Sequence, residues 1–185
     1  PPILGTAQRV GPLVTGDGAI GDQLGRALVH DGTTLVVGAR QAVLPAATTS
    51  DGFKSGAAYV YTDSGTAFVA AQRIEPPDAA EGDLFSVSLA LAGDVLVVGA
   101  PGADRDGISN RGAAYVYRRS AGSWAWEATL AGADPGAGDN FGSAVAYAQG
   151  TILVGAPGHG GGPAEAGAVF AFRQVAGAWT LVETL

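Results

Sequence analysis

The chain has 185 residues, 47% of them hydrophobic and 15% charged, which is enough to bury a core and too apolar for a disordered segment. Its 17 acidic against 10 basic residues leave a formal charge of −7, which argues against binding to nucleic acid, whose phosphates require a basic stripe, or to an anionic membrane surface. Thirty glycines exclude a helical protein, the absence of cysteine excludes disulfides and thiolate metal sites, and no run approaches the ~18 apolar residues of a membrane span.

Methionine is also absent, so residue 1 is not a translation start, and the chain is expected to be a processed mature protein or a window on a longer one. From the first residues onward, Leu4 to Val10 predicts a strand that ends Ala7-Gln8-Arg9-Val10, close to Ala71-Gln72-Arg73-Ile74 further on. It has no sheet of its own. With a linker carrying Asp17 and Asp22 it makes up residues 1–23.

Residues 24–75 form the first of three similar units. A first strand, Leu24 to Val29, is followed by a turn at Asp31-Gly32, the dipeptide that most strongly signals a two-residue hairpin. The second strand is the unbroken apolar run Leu35-Val36-Val37, the third is GAAYVY at 56–61, and the fourth runs from Phe68 to Ile74. Residues 76–130 repeat the order, with Asp78 and Asp83, then Phe85 to Ala90, Gly93-Asp94, Leu96-Val97-Val98, GAAYVY again at 112–117, and Trp124 to Leu130. Residues 131–185 do so once more, with Asp134 and Asp139, Phe141 to Ala146, Gln149-Gly150, Ile152-Leu153-Val154, GAVFAF at 167–172, and Trp179 to Leu185. The third-strand blocks recur at intervals of 56 and 55 residues, a period that belongs to stacked or radial modules.

Each strand states its surroundings. The first keeps its second and fourth residues small (Gly25, Ser86, Gly142; Ala27, Ser88, Ala144), as a strand at a crowded axis must. Continuous apolarity in the second predicts that both of its faces are covered. The third alternates Tyr59 and Tyr61 with Ala58 and Val60, and its copies do likewise, so neighbouring sheets nest large against small. The expected fold is all-β and β-propeller-like: a single domain, 1–185, of three four-stranded antiparallel blades plus an extra N-terminal strand.

The block FGSAVAYAQGTILVGAP at 141–157 resembles the FG-GAP repeat, with Phe141-Gly142 opening it and Gly155-Ala156-Pro157 closing it. The second unit has Phe85-Ser86 and Gly99-Ala100-Pro101, and the first Leu24-Gly25 and Gly38-Ala39-Arg40. The resemblance implies a propeller of about seven blades of the integrin α and bacterial surface type, an extracellular or cell-surface location, and binding or adhesion. Its calcium-binding members carry a long DxDxDGxxD loop between first and second strands. Here that hairpin is tight in every unit, with too few oxygens for calcium's usual six to eight.

Candidate chemistry is sparse. Asp17 and Asp22, Asp78 and Asp83, and Asp134 and Asp139 recur at one spacing, as hard-cation ligands or as turn caps. Asp104 and Asp106 are the candidate metal ligands, for calcium, in a loop that Arg105 interrupts and that also reads as a solvated turn. His159-Gly160-Gly161-Gly162 looks like an esterase oxyanion loop, but no GxSxG elbow accompanies it. With only two histidines and no cysteine, a triad or zinc site has almost no material, and no enzyme is expected. Trp124, Trp126 and Trp179 read as blade-edge packing or as sugar platforms.

Three blades do not close a propeller, so two sheet faces are expected to be uncovered, and Phe170 and Phe172 to lack a blade to meet. The expected function is a non-enzymatic extracellular structural or adhesion module that self-associates through blade faces and strand exchange, as a homo-oligomeric ring or filament. The alternative is a carbohydrate-binding propeller, or a piece of a larger seven-bladed surface protein, with a glycan or protein ligand. No nucleic-acid partner, membrane insertion or further cofactor is expected.

Overall fold

The computed structural model describes residues 15, 17–43, 54–160 and 166–185. Within them are twelve strands and no helix. Blade 1 holds β1 (Leu24–His30), β2 (Thr34–Ala39), β3 (Ala57–Asp63) and β4 (Phe68–Ile74). Blade 2 holds β5 (Ser88–Ala92), β6 (Val95–Ala100), β7 (Ala113–Ser120) and β8 (Ser123–Leu130). Blade 3 holds β9 (Ala144–Ala148), β10 (Thr151–Ala156), β11 (Ala168–Val175) and β12 (Ala178–Thr184). Each blade is an antiparallel sheet whose strands pair in chain order. The extra strand expected at Leu4 to Val10 lies outside the described residues.

The first strands β1, β5 and β9 lie side by side, whereas β4 and β8 meet only slightly, so the sheets fan out from their first strands. This is the radial arrangement of propeller blades. Hairpins between first and second strands are two residues long in every blade, with Gly32-Thr33, Gly93-Asp94 and Gln149-Gly150 at their tips. In blade 1 the turn is one residue later than Asp31-Gly32 suggested. Asp31 instead pairs with Thr34 and accepts the amides of Thr33 (3.0 Å) and Thr34 (2.8 Å) on its carboxylate.

A second difference concerns the aromatic-small pairs. Phe85-Ser86 and Phe141-Gly142 precede the strands rather than open them, because β5 starts at Ser88 and β9 at Ala144. Ser86 and Gly142 sit at φ of 72° and 95°, in the left-handed region, where a small residue lets the chain turn sharply. The small residue is therefore a turn requirement, and the aromatic before it is swung into a joint between blades.

The third difference is the direction of nesting. Phe170 and Phe172, expected to face outward, are buried with Ile152 and Val154 against Val97, Ala114 and Val116 of blade 2. Tyr115 and Tyr117 likewise pack on Val36, Ala58 and Val60 of blade 1. The large faces of blades 2 and 3 thus each meet the small face of the preceding blade. Among the described residues, Tyr59 and Tyr61 of blade 1 have no blade against them and cluster with Leu35, Val37 and Phe68. β2 and β6 are buried throughout, as their apolarity predicts, but β10 is covered on one face only, and Leu153 is 37% exposed.

Candidate functional site

What recurs at both joints is a socket and an opener. The Phe85 amide donates to the Ser55 carbonyl of blade 1 (2.8 Å), and the Phe141 amide to the Arg111 carbonyl of blade 2 (3.1 Å). The rings turn back onto their own blades: Phe85 packs edge-on to Tyr115 at 5.5 Å, and Phe141 lies 5.4 Å from Phe170. The Ser86 hydroxyl donates to the Ala57 carbonyl (2.7 Å), and the Ser88 hydroxyl to the Gly142 carbonyl (2.7 Å).

The glycine of Gly-Ala-Pro belongs to the socket. A Cβ on Gly38 would overlap the Ser86 backbone, and one on Gly99 the Gly142 carbonyl. Gly56 and Gly112, just ahead of the third strands, are similarly crowded by the Phe85 and Phe141 backbones. Their smallness admits the next blade's opener.

Blade 3 keeps the socket, and among the described residues no opener sits in it. Gly155, Gly167 and Ala168 occupy the places of Gly99, Gly112 and Ala113, and they line an apolar pocket of about 450 Å³ with Pro157, Val169 and Leu185. A Cβ on Gly155 would meet nothing closer than the Ala144 Cβ at 3.5 Å, so among the described residues nothing in its own chain requires that glycine. At the other end of the array Leu24 is 38% exposed, and Gly25 holds the opener's positive φ of 90° with none of the described residues within 4 Å of a Cβ there.

The recurring aspartates divide into two jobs. Asp22, Asp83 and Asp139 are buried and accept the amides of Ala19, Ala80 and Gly136 at 2.7–2.8 Å, each closing a turn three residues back. Burial pushes the Asp83 carboxyl up from its ordinary range. The first aspartate of each pair meets what its blade offers. Asp17 pairs with Arg73, which outweighs partial burial and holds the carboxyl below its usual range. Asp78 pairs with Arg105 and accepts the Tyr115 hydroxyl at 2.8 Å. Phe170 replaces that tyrosine in blade 3 and leaves Asp134 no hydroxyl there.

The candidate calcium ligands are engaged within their own loop. Asp104 accepts the Asn110 amide (2.7 Å), Asp106 pairs with Arg111, and Arg105 turns away to Asp78. No group of three His, Cys, Asp or Glu side chains converges among the described residues. His159 occupies the place of Ala42 and Ala103. Its Nδ1 lies 3.0 Å from Asp139 and its ring meets Phe170 edge-on, whereas Gly161 and Gly162 of that motif lie outside the described residues.

Trp124 is buried under the Arg119 guanidinium, which lies 5.2 Å from its ring centroid, and Trp179 packs on Tyr147; only Trp126, 51% exposed, offers much surface. Sequence reasoning missed two residues that stitch blades together. The Gln72 amide of β4 donates to the Trp124 carbonyl (2.7 Å) and accepts its amide (2.8 Å), standing in for a strand neighbour. Glu127 of β8 binds donors on both sides of the next joint. Glu127 does not recur at its position in the other units, and Gln72 recurs only as Gln8 of the N-terminal segment, so the three units carried no signal for either.

A family model described as FG-GAP repeat matches three consecutive stretches, residues 8–61, 63–117 and 124–172. No curated protein matches the sequence.

Proposed function

Because the chain belongs to the FG-GAP repeat family and its third blade presents an uncovered socket, we propose that it is a non-enzymatic extracellular structural or adhesion module that self-associates through blade faces. The socket is the observation that carries this reading. Two sockets of the same make hold an opener from the following blade, and the third has the glycines, the apolar lining and the size to hold another. The Leu24-Gly25 opener of a second copy has matching chemistry. Such a contact joins two different surfaces, so it propagates head to tail and yields a ring where the rotation closes or a filament where it does not. Exchange of the segment Leu4 to Val10 would reinforce it. The family resemblance supports the location, and two histidines without a cysteine favour a binding role over an enzymatic one.

Light scattering across a concentration series tests the proposal, with Gly155→Ala as the blocking variant. Its Cβ fits the isolated chain but would occupy the opener's backbone position. The unmodified chain should grow in mass with concentration and the variant should remain monomeric. A monomer at every concentration, or a variant that assembles equally well, would sink the reading.

A further inference from the structure

The two joints differ at one place, and the difference leaves a cleft. Each fourth strand has a bulge that leaves one residue without a cross-strand partner: Ala71, Glu127 and Val182. At the joint of blades 2 and 3, Glu127 fills the space. Its carboxylate accepts Arg118 Nε (2.6 Å) and Nη2 (3.2 Å) from its own blade, and Gln174 Nε2 (3.0 Å) and Trp179 Nε1 (3.1 Å) from the next. At the joint of blades 1 and 2 the bulge residue is Ala71, and the donor positions are held by Thr62, Arg119 and Trp124. All four line a cleft of about 260 Å³.

The wall of that cleft keeps the chemistry of its counterpart. The positive charge has moved across the joint, from the position of Arg118 to that of Gln174, where Arg119 stands. Arg119 is held over Trp124 by Asp94 (2.9 Å), the Thr34 hydroxyl (2.8 Å) and the Gly93 carbonyl (3.2 Å). Trp124 Nε1 and the Thr62 hydroxyl make no hydrogen bond among the described residues. Two open donors beside a guanidinium suit an anion with two acceptor oxygens, and a cation would meet the Arg119 charge.

We propose that this cleft is a binding site for a carboxylate of glutamate side-chain size, accepting from Trp124 Nε1 and Thr62 beside Arg119. The neighbouring Asp94 and the net charge of −7 make the binding weak and sensitive to salt. The site is independent of blade-to-blade assembly between copies, because both of its walls belong to one chain.

The test follows the tryptophan indole N–H resonances during titration with sodium acetate, then propionate, at constant ionic strength against sodium chloride. The Trp124 resonance should shift saturably with both acids, while Trp179, already bound to Glu127, stays in place. Ala71→Glu, at an exposed position, should move the Trp124 resonance without added acid and abolish its response. Glu127→Ala should make Trp179 respond as Trp124 does. A Trp124 resonance that follows chloride equally overturns the proposal, as does an acetate response that survives Ala71→Glu.

Discussion

Alanine at Gly99 and at Gly155 changes the same position of the repeat, yet the two substitutions should act with opposite sign. A Cβ on Gly99 would overlap the Gly142 carbonyl oxygen and the Ser88 hydroxyl, with the Gly142 carbonyl carbon at 3.0 Å. Gly142 is backbone in a positive-φ turn wedged against the Ala113 carbonyl, so it yields little. Such overpacking costs about 1–3 kcal/mol, and the lost flexibility of glycine in the unfolded chain returns about 0.5–1 kcal/mol. A net loss of about 1–2 kcal/mol should lower the Tm of a chain this size by roughly 2–8 °C. The Gly155 Cβ meets only the Ala144 Cβ, at ordinary contact distance, so Gly155→Ala keeps the gain alone and should raise Tm by roughly 1–4 °C. Thermal unfolding by circular dichroism, at a concentration where the chain is monomeric, reads both. Equal shifts for the two variants would refute the socket-and-opener account of the joints.

Gln72→Ala removes both bonds to the Trp124 backbone and should cost about 1–3 kcal/mol, seen as a lower urea midpoint at unchanged slope. Burial pushes the Tyr59 hydroxyl up to about 12 and moves Tyr61, Tyr115 and Tyr117 in the same direction. An unfolded tyrosine ionises near pH ~10, so the native state holds protons that the unfolded state gives up. That stabilisation is whole below pH ~10 and is lost as pH rises through the folded values, so in a Tyr147→Phe background, which leaves only these four tyrosines, tyrosinate absorbance should appear together with loss of the sheet signal. Tyrosinate formed near pH ~10 in an intact fold would contradict the burial. The raised carboxyl of Asp83 means that its ionised form costs stability at neutral pH. Asp83→Asn, which keeps the acceptor for the Ala80 amide, should therefore raise the urea midpoint at neutral pH, by a margin that shrinks as the pH falls into the carboxylate range.

The repeat made the sheets legible because alternation in β3, β7 and β11 and unbroken apolarity in β2 and β6 are local consequences of burial. The direction of nesting was not legible. A large face and a small face on each strand show that blades nest, but which neighbour each face meets depends on where the chain re-enters. Phe85 and Phe141 set this by reaching back, through a turn whose positive φ at Ser86 a serine does not advertise. The aspartates were half legible. Identical spacing implied a common task, and the turn-closing role of Asp22, Asp83 and Asp139 was one of its two readings. The partners of Asp17 and Asp78 come from elsewhere in the sequence, Arg73 lying 56 residues from Asp17 and Arg105 27 from Asp78. No local pattern records such pairs.

Because the openers of blades 2 and 3 reach back and their large faces meet the preceding small ones, the array has a direction, and its two ends are unlike. A two-fold contact between copies would set like faces together, small on small, and leave the sockets unfilled. A head-to-tail contact would instead place the Leu24-Gly25 opener where Phe85-Ser86 and Phe141-Gly142 sit in their own sockets, with Leu24 less bulky than either phenylalanine. Against water alone, the socket face of blade 3 would gain from polar substitution and from any residue stiffer than glycine at Gly155. It carries instead an exposed Leu153, an exposed Val169 beside an apolar pocket, and a glycine in mid-strand that the described residues leave room to replace. A mid-strand glycine costs about 0.5–1 kcal/mol relative to alanine. Docking of another opener, which excludes a Cβ at that place, would account for a glycine that blade 3 by itself would be more stable without.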